Sequence, residues 1–197
     1  MTATIDTYAA LADRVRALPP RCGAVRVVAV DGGAGSGKTT FAERLAAALD
    51  GAPVVHTDDL LLTGWASITG FWDNLQGLLD ALATGRRGSY RRYDWMAGQP
   101  AERVEVDVVP VLVVEGVTVS AATRGRHVLA VTVEAPRGLR LTRGLARDGE
   151  DMRPEWLHWL AQEDAFFADP AHARADVRVD GAPDLPHDTH RCFLRLG

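Results

Sequence analysis

Lysine is almost missing from this 197-residue chain: Lys38 is the only one, and the remaining basic side chains are arginine. In such a background a retained lysine marks a place where a compact charge on a flexible stem is needed and a planar fork does not fit. Cysteine is scarce too. Cys22 and Cys192 are too few for a disulfide framework, so a reducing, cytoplasmic setting is expected. Asparagine occurs once, at Asn74 ahead of Leu75, which excludes the N-K-x-D pattern that reads guanine. Positive charge is not in excess. Against 22 Lys and Arg stand 26 acids, a formal charge of −4, which argues against nucleic acid as a partner. No apolar run is long enough to span a bilayer and no opening segment reads as a signal peptide, so no membrane is expected either. Internal repeats and low-complexity tracts are also absent. What is present, 47% hydrophobic and 24% charged residues, suits one α/β domain with a substantial core.

The organising stretch is Asp31-Gly32-Gly33-Ala34-Gly35-Ser36-Gly37-Lys38-Thr39-Thr40, which fits G-x-x-x-x-G-K-[ST]. Residues 25–30 (VRVVAV) read as a buried strand before it and residues 41–49 (FAERLAAAL) as a helix after it. Strand, glycine loop and helix together make a phosphate-binding loop. The glycines let backbone N–H groups curl around an anion, and the helix N-terminus adds partial positive charge. Residues 32–40 are therefore expected to hold ATP, with Lys38 on the β/γ-phosphates and the Thr39 hydroxyl on Mg²⁺. The glycines cannot be aligned to the dinucleotide pattern G-x-G-x-x-G.

The rest of the chain supplies candidates around that loop. Residues 4–18 have amphipathic helical spacing, ended by Pro19 and Pro20. Residues 53–56 read as a short strand ending at Asp58 and Asp59; one carboxylate is expected in the site, Asp58 ahead of Asp59, with turn capping the plainer role. Residues 71–84 read as a helix with Asp73 in its first turn, where interaction with the helix dipole competes with substrate binding. Residues 88–106 read as a hairpin flap in which Tyr90, Tyr93 and Trp95 either line a substrate or cover the sheet edge. Residues 108–114 suit a central parallel strand, and Glu115 just beyond it is placed to serve Mg²⁺. After a strand at 127–133, a helix over 136–147 carries Arg140, Arg143 and Arg147 on one face, either a solvated basic face or a lid over a transferring phosphoryl group. A helix over 154–168 carries Trp156, Trp159 and Glu163 on a stripe read as core packing, with Glu163 a weak site candidate. Residues 175–179 are expected to end the main sheet, residues 182–187 to form a loop, and residues 192–196 to add a short edge strand.

Taken together these residues resemble the uridine kinase-like branch of P-loop small-molecule kinases, alongside nicotinamide riboside kinases and phosphoribulokinases. The resemblance runs over residues 25–180. It rests on the phosphate loop, Asp58-Asp59, the helix opening near Asp73, Tyr93-Asp94-Trp95, Val113-Val114-Glu115-Gly116 and the arginines ending in Arg147-Asp148. It implies a doubly wound parallel sheet of about five strands with helices on both faces, a hairpin flap over 86–107 and an arginine-rich lid over 137–153. It further implies Asp58 as the proton acceptor, Asp73 on ribose hydroxyls, Tyr93 in the acceptor pocket, Glu115 on Mg²⁺, lid arginines on phosphates, and self-association. Two departures stand out: Leu60-Leu61-Leu62 where the family commonly has an aromatic pair, and Gly98 near the place of the base-reading histidine. The expected activity is ATP- and Mg²⁺-dependent phosphorylation of a hydroxyl, with a nucleoside 5′-hydroxyl leading. Pantothenate-like, sugar or antibiotic alcohols are the alternative within enzymes, and a nucleotide-dependent regulatory ATPase the alternative outside them.

Overall fold

The computed structural model describes residues 3–62, 64–172 and 175–197; Met1 and Thr2, at the head of the expected N-terminal segment, and Thr63, in the loop after Asp59, lie outside them. In chain order the elements are β1 (Ala3–Thr7), α1 (Tyr8–Ala17), β2 (Arg26–Asp31), α2 (Lys38–Ala48), β3 (Val54–His56), α3 (Trp72–Ala83), β4 (Gly88–Asp94), β5 (Gln99–Val106), β6 (Val111–Glu115), α4 (Val119–Ala122), β7 (His127–Glu134), α5 (Arg137–Asp148), α6 (Arg153–Phe167), β8 (Val177–Asp180) and β9 (Cys192–Leu196).

Alternation along β2 explains the layering. Val27 and Ala29 enter one apolar cluster and Val28 and Val30 another, so the strand is buried on both faces, as a central parallel strand must be. On one face lie α1 and α2, through Tyr8, Leu11, Val15, Phe41 and Leu45. On the other lie α3, the foot of the β4–β5 hairpin and Trp159 of α6. A third, smaller cluster of Leu145, Trp156 and Leu160 joins α5 to α6.

The main sheet runs β1-β9-β8-β7-β2-β6-β3. Its five strands from β8 to β3 are parallel, as the sequence pattern leads one to expect. The sheet has seven strands rather than about five because β9 adds antiparallel to β8, and β1 adds antiparallel to β9. Residues 3–7 are thus a strand and not the first turn of a helix. The β-branched run Thr4-Ile5 suits either reading, and the open edge of β9 decides it. Thr7 then caps α1, its hydroxyl accepting from the Ala10 N–H at 3.1 Å. By the same pairing β9 is an inner strand and β1 forms the edge. Among the described residues no helix is long and apolar enough to cross a membrane.

Candidate active site

Parallel register brings the chemistry to one edge of the sheet. Glu115, the last residue of β6, lies opposite Val30 of β2 on one side and His56 of β3 on the other. The strand order reverses about β2, and the carboxyl ends of strands at such a point open a crevice for ligands. The phosphate loop rises from β2 into that crevice.

Asp31 anchors the loop's root. Its buried carboxylate accepts from the N–H groups of Gly32 (2.7 Å), Thr118 (2.9 Å) and Ser120 (2.8 Å), tying the loop to the segment after Glu115. Behind the loop, Glu163 of α6 accepts from the Ala34 N–H at 2.8 Å and pairs with Arg140 of α5 at 2.5 Å; Arg140 also reaches the Ala34 carbonyl at 3.3 Å. A Cβ at Gly33 would press on the Arg140 guanidinium and the Glu163 carboxylate, so a larger residue there would have to displace that pair. Gly37, with φ of 98°, turns the loop into α2, whose first-turn N–H groups have no partner within the helix.

Two cavities meet in front of the loop. The first, about 490 Å³, is lined by Gly35, Gly37, Lys38, Thr39, Thr40 and Arg143, and reaches Pro183 and His187. The second, about 550 Å³, is lined by Asp59, Leu61, Trp65, Trp95, Met152, Trp156 and Trp159. Lys38, Asp58 and Arg147 line both. Lys38 is only 7% exposed and, among the described residues, makes no ion pair. A charge so placed awaits an anion from outside the chain.

Beside Lys38 stands a polar cluster that includes a residue overlooked in the sequence. Glu115 Oε1 accepts from Thr39 Oγ1 at 3.1 Å and bonds His56 Nδ1 at 2.7 Å. Glu115 Oε2 is buried with no partner among the described residues. Burial pushes the Glu115 carboxyl up, but the His56 hydrogen bond, the Lys38 and His56 charges and the Thr39 hydroxyl outweigh it, leaving the group below its ordinary range. His56 is raised, chiefly by its bond to Glu115. The only sequence signal for His56 was its place at the end of a short strand. Gly116, with φ of 155°, lets the chain leave Glu115 against the Thr57 side chain, where a Cβ would collide.

Asp58 follows β3 in a tight 3-10 turn, Thr57–Leu60. It opens onto the cavities yet is crowded by their walls. Desolvation raises its carboxyl above the ordinary range; Lys38, Arg147 and His56 oppose the shift and Glu115 adds to it. Trp95, at the tip of the hairpin, donates from Nε1 to the Asp58 carbonyl at 3.3 Å.

The remaining candidates are dispersed. Arg143 and Arg147 face the first cavity, with Arg143 donating to the carbonyls of Gly35 (3.2 Å) and Gly181 (3.0 Å) and Arg147 held bidentate by Asp148 (2.6 and 2.9 Å). Arg140 does not share their face: the buried Glu163 carboxylate draws it beneath the loop. Gly32 and Gly33 line a separate hollow on that rear side, with Arg140 and Glu163. Ser36 is buried in the loop, its hydroxyl without a partner among the described residues. Asp73 is exposed at the start of α3 and lines neither cavity. Tyr90 is packed in the core under the hairpin, where burial pushes its hydroxyl up to about 12. Tyr93 backs Trp95 edge-on at 5.1 Å. Trp65, Trp156 and Trp159, read from the sequence as loop or core, border the second cavity instead.

No protein-family model matches the chain, and no curated protein matches it in sequence. Solved structures do match. A candidate fructose transport system kinase from Silicibacter sp. TM1040 is 26% identical with a TM-score of 0.67, the match covering 83% of this chain and 95% of that one. A candidate uridine kinase from Bacillus stearothermophilus is 19% identical with a TM-score of 0.63, covering 87% and 96%. In chain path, as in motif order, the protein resembles the uridine kinase-like P-loop kinases.

Proposed function

We propose that the protein is a small-molecule kinase that transfers the γ-phosphoryl group of ATP to a hydroxyl, with a nucleoside 5′-hydroxyl the leading acceptor. The observation that carries this reading is the junction of the two cavities at Lys38, Asp58 and Arg147. A donor held by the loop and an acceptor held by the second cavity meet there, beside Ala34 of the loop. The kinase fold supports it independently.

Each residue has a distinct task. Loop N–H groups and Lys38 hold the phosphates, and Arg143 and Arg147 neutralise charge that builds on the transferring group. Asp58 receives the proton of the attacking hydroxyl and orients that oxygen in line. The donor set suits Mg²⁺: one hydroxyl from Thr39 and the partnerless Oε2 of Glu115, leaving room for waters and phosphate oxygens. When bound, the ion would neutralise negative charge on the phosphates. His56 fixes the Glu115 carboxylate by occupying its other oxygen. The two free cysteines favour a reducing cytoplasm as its setting.

Initial rates of ADP release with ATP and Mg²⁺ across a panel of nucleosides and other alcohols test the reading. Asp58→Asn is expected to lower kcat by roughly 10²–10⁴-fold with ATP affinity nearly intact. Because desolvation raises Asp58 in the free protein, wild-type kcat/KM should fall on the acid side at a pH above that of an ordinary aspartate. Wild-type turnover in the variant removes Asp58 from the chemistry.

A further inference from the structure

The second cavity says more about the acceptor than that it has a hydroxyl. Four of the chain's five tryptophans form one wedge beside Asp58. Trp65 sits at its centre, edge-on to Trp95 (5.8 Å, 71°), Trp156 (5.8 Å, 60°) and Trp159 (5.5 Å, 85°). Trp156 and Trp159 are buried and fix the wedge from behind; Trp95, 39% exposed, and the half-buried Trp65 present indole to the cavity. Two rigid indoles of this kind offer stacking area to a flat ring at little entropic cost.

The charges around the wedge are one-sided. The lining contains Asp58, Asp59 and Asp148 against Lys38 and Arg147. Arg147 pairs bidentate with Asp148, which also accepts from Trp156 Nε1 at 2.9 Å, and it faces the phosphate cavity. Lys38 faces the phosphate cavity as well and is engaged once a nucleotide is bound. The nearest guanidinium to act on Asp59 is that of Arg92, itself held by Glu102 at 2.6 and 3.1 Å. The charge that acts most on Asp59 is that of His56, which is held by Glu115 and lines neither cavity, so with Lys38 and Arg147 turned to the phosphates the acceptor lining keeps its carboxylates. Nor does the lining contain an imidazole or side-chain amide to read the edge of a base; Gly98 lies in the hairpin turn and lines neither cavity.

We infer that the acceptor is a flat-ringed alcohol carrying no negative charge, selected by indole stacking and by the carboxylate pair rather than by hydrogen-bond reading of a base edge. This rests on the kinase reading and sharpens it. It excludes carboxylate-bearing and phosphorylated alcohols, and it favours a positive charge on the ring over none, since indole faces and carboxylates both attract cations.

Three ring alcohols of matched size test the rule: 4-(hydroxymethyl)-N,N,N-trimethylanilinium, 4-tert-butylbenzyl alcohol and 4-(hydroxymethyl)benzoate. Binding is followed by tryptophan fluorescence of the whole protein with a non-hydrolysable ATP analogue and Mg²⁺ present, so that no turnover is needed. The expected order is cation, then neutral, with the benzoate weaker than the neutral compound by roughly tenfold or more. Benzoate binding equal to or tighter than that of the neutral alcohol overturns the inference, as does the absence of saturable binding by all three. Phosphorylation of the benzoate, read as ADP release, would overturn it while leaving the kinase reading intact. The expected order without ADP release from any alcohol would do the reverse.

Discussion

On the phosphate side of the cleft, one uninterrupted stretch from Ala34 to Thr40 supplies the loop and the first turn of α2. On the acceptor side the walls come from several separated places, among them Asp58, Asp59 and Leu61, Trp65, the hairpin tip at Trp95, Val117 after β6, the end of α5 at Arg147 and Asp148, Met152, and the face of α6 at Trp156 and Trp159. The first half is backbone and point charge, set by glycines that permit its path. The second is a packing of indoles that exists only when distant elements dock. The acceptor half, built partly from surface loops, is the more open to respecialisation by single substitutions.

The largest expected effect crosses that division. Glu163 lies in α6, among the acceptor-side elements, yet braces the phosphate loop through Ala34 and Arg140. Glu163→Ala strands a buried guanidinium and should lower unfolding stability by about 3–5 kcal/mol, measured by urea denaturation. Arg140→Met combined with Glu163→Leu should recover much of that loss, because the pair is then replaced by apolar packing. A single variant as stable as wild type shows that the loop stands without the brace and makes the two halves independent.

A smaller effect separates the halves. Trp95→Ala removes exposed stacking area at the hairpin tip and should raise the acceptor KM by roughly two- to tenfold. The KM for ATP should not move. A parallel rise in both constants means that the hairpin orders the phosphate side too, through its hydrogen bond to the Asp58 carbonyl.

The same contrast governs what could be read from sequence. The phosphate loop was legible because its chemistry is contiguous, and Asp58 and Glu115 because strand ends in an open parallel sheet face the crevice. Arg140 misled because its helical spacing matches that of Arg143 and Arg147, while the carboxylate that turns it away is Glu163, 23 positions on. The tryptophan wedge was hidden, since Trp65 meets Trp159 only after α6 folds over the loop. Edge strand β1 was misassigned because Ile5 and Tyr8 fit a helical stripe, and nothing local announces the pairing with β9.

The central claim is that the cleft carries a phosphoryl group from ATP to an alcohol, and the product balance tests it most directly. The protein is incubated with ATP, Mg²⁺ and an acceptor that stimulates ADP release, and ADP, phosphorylated acceptor and inorganic phosphate are quantified in the same sample. The account predicts ADP and phosphorylated acceptor in equal amounts with little free phosphate. ADP matched by free phosphate, at a rate indifferent to the acceptor, would contradict it and leave a nucleotide switch in its place.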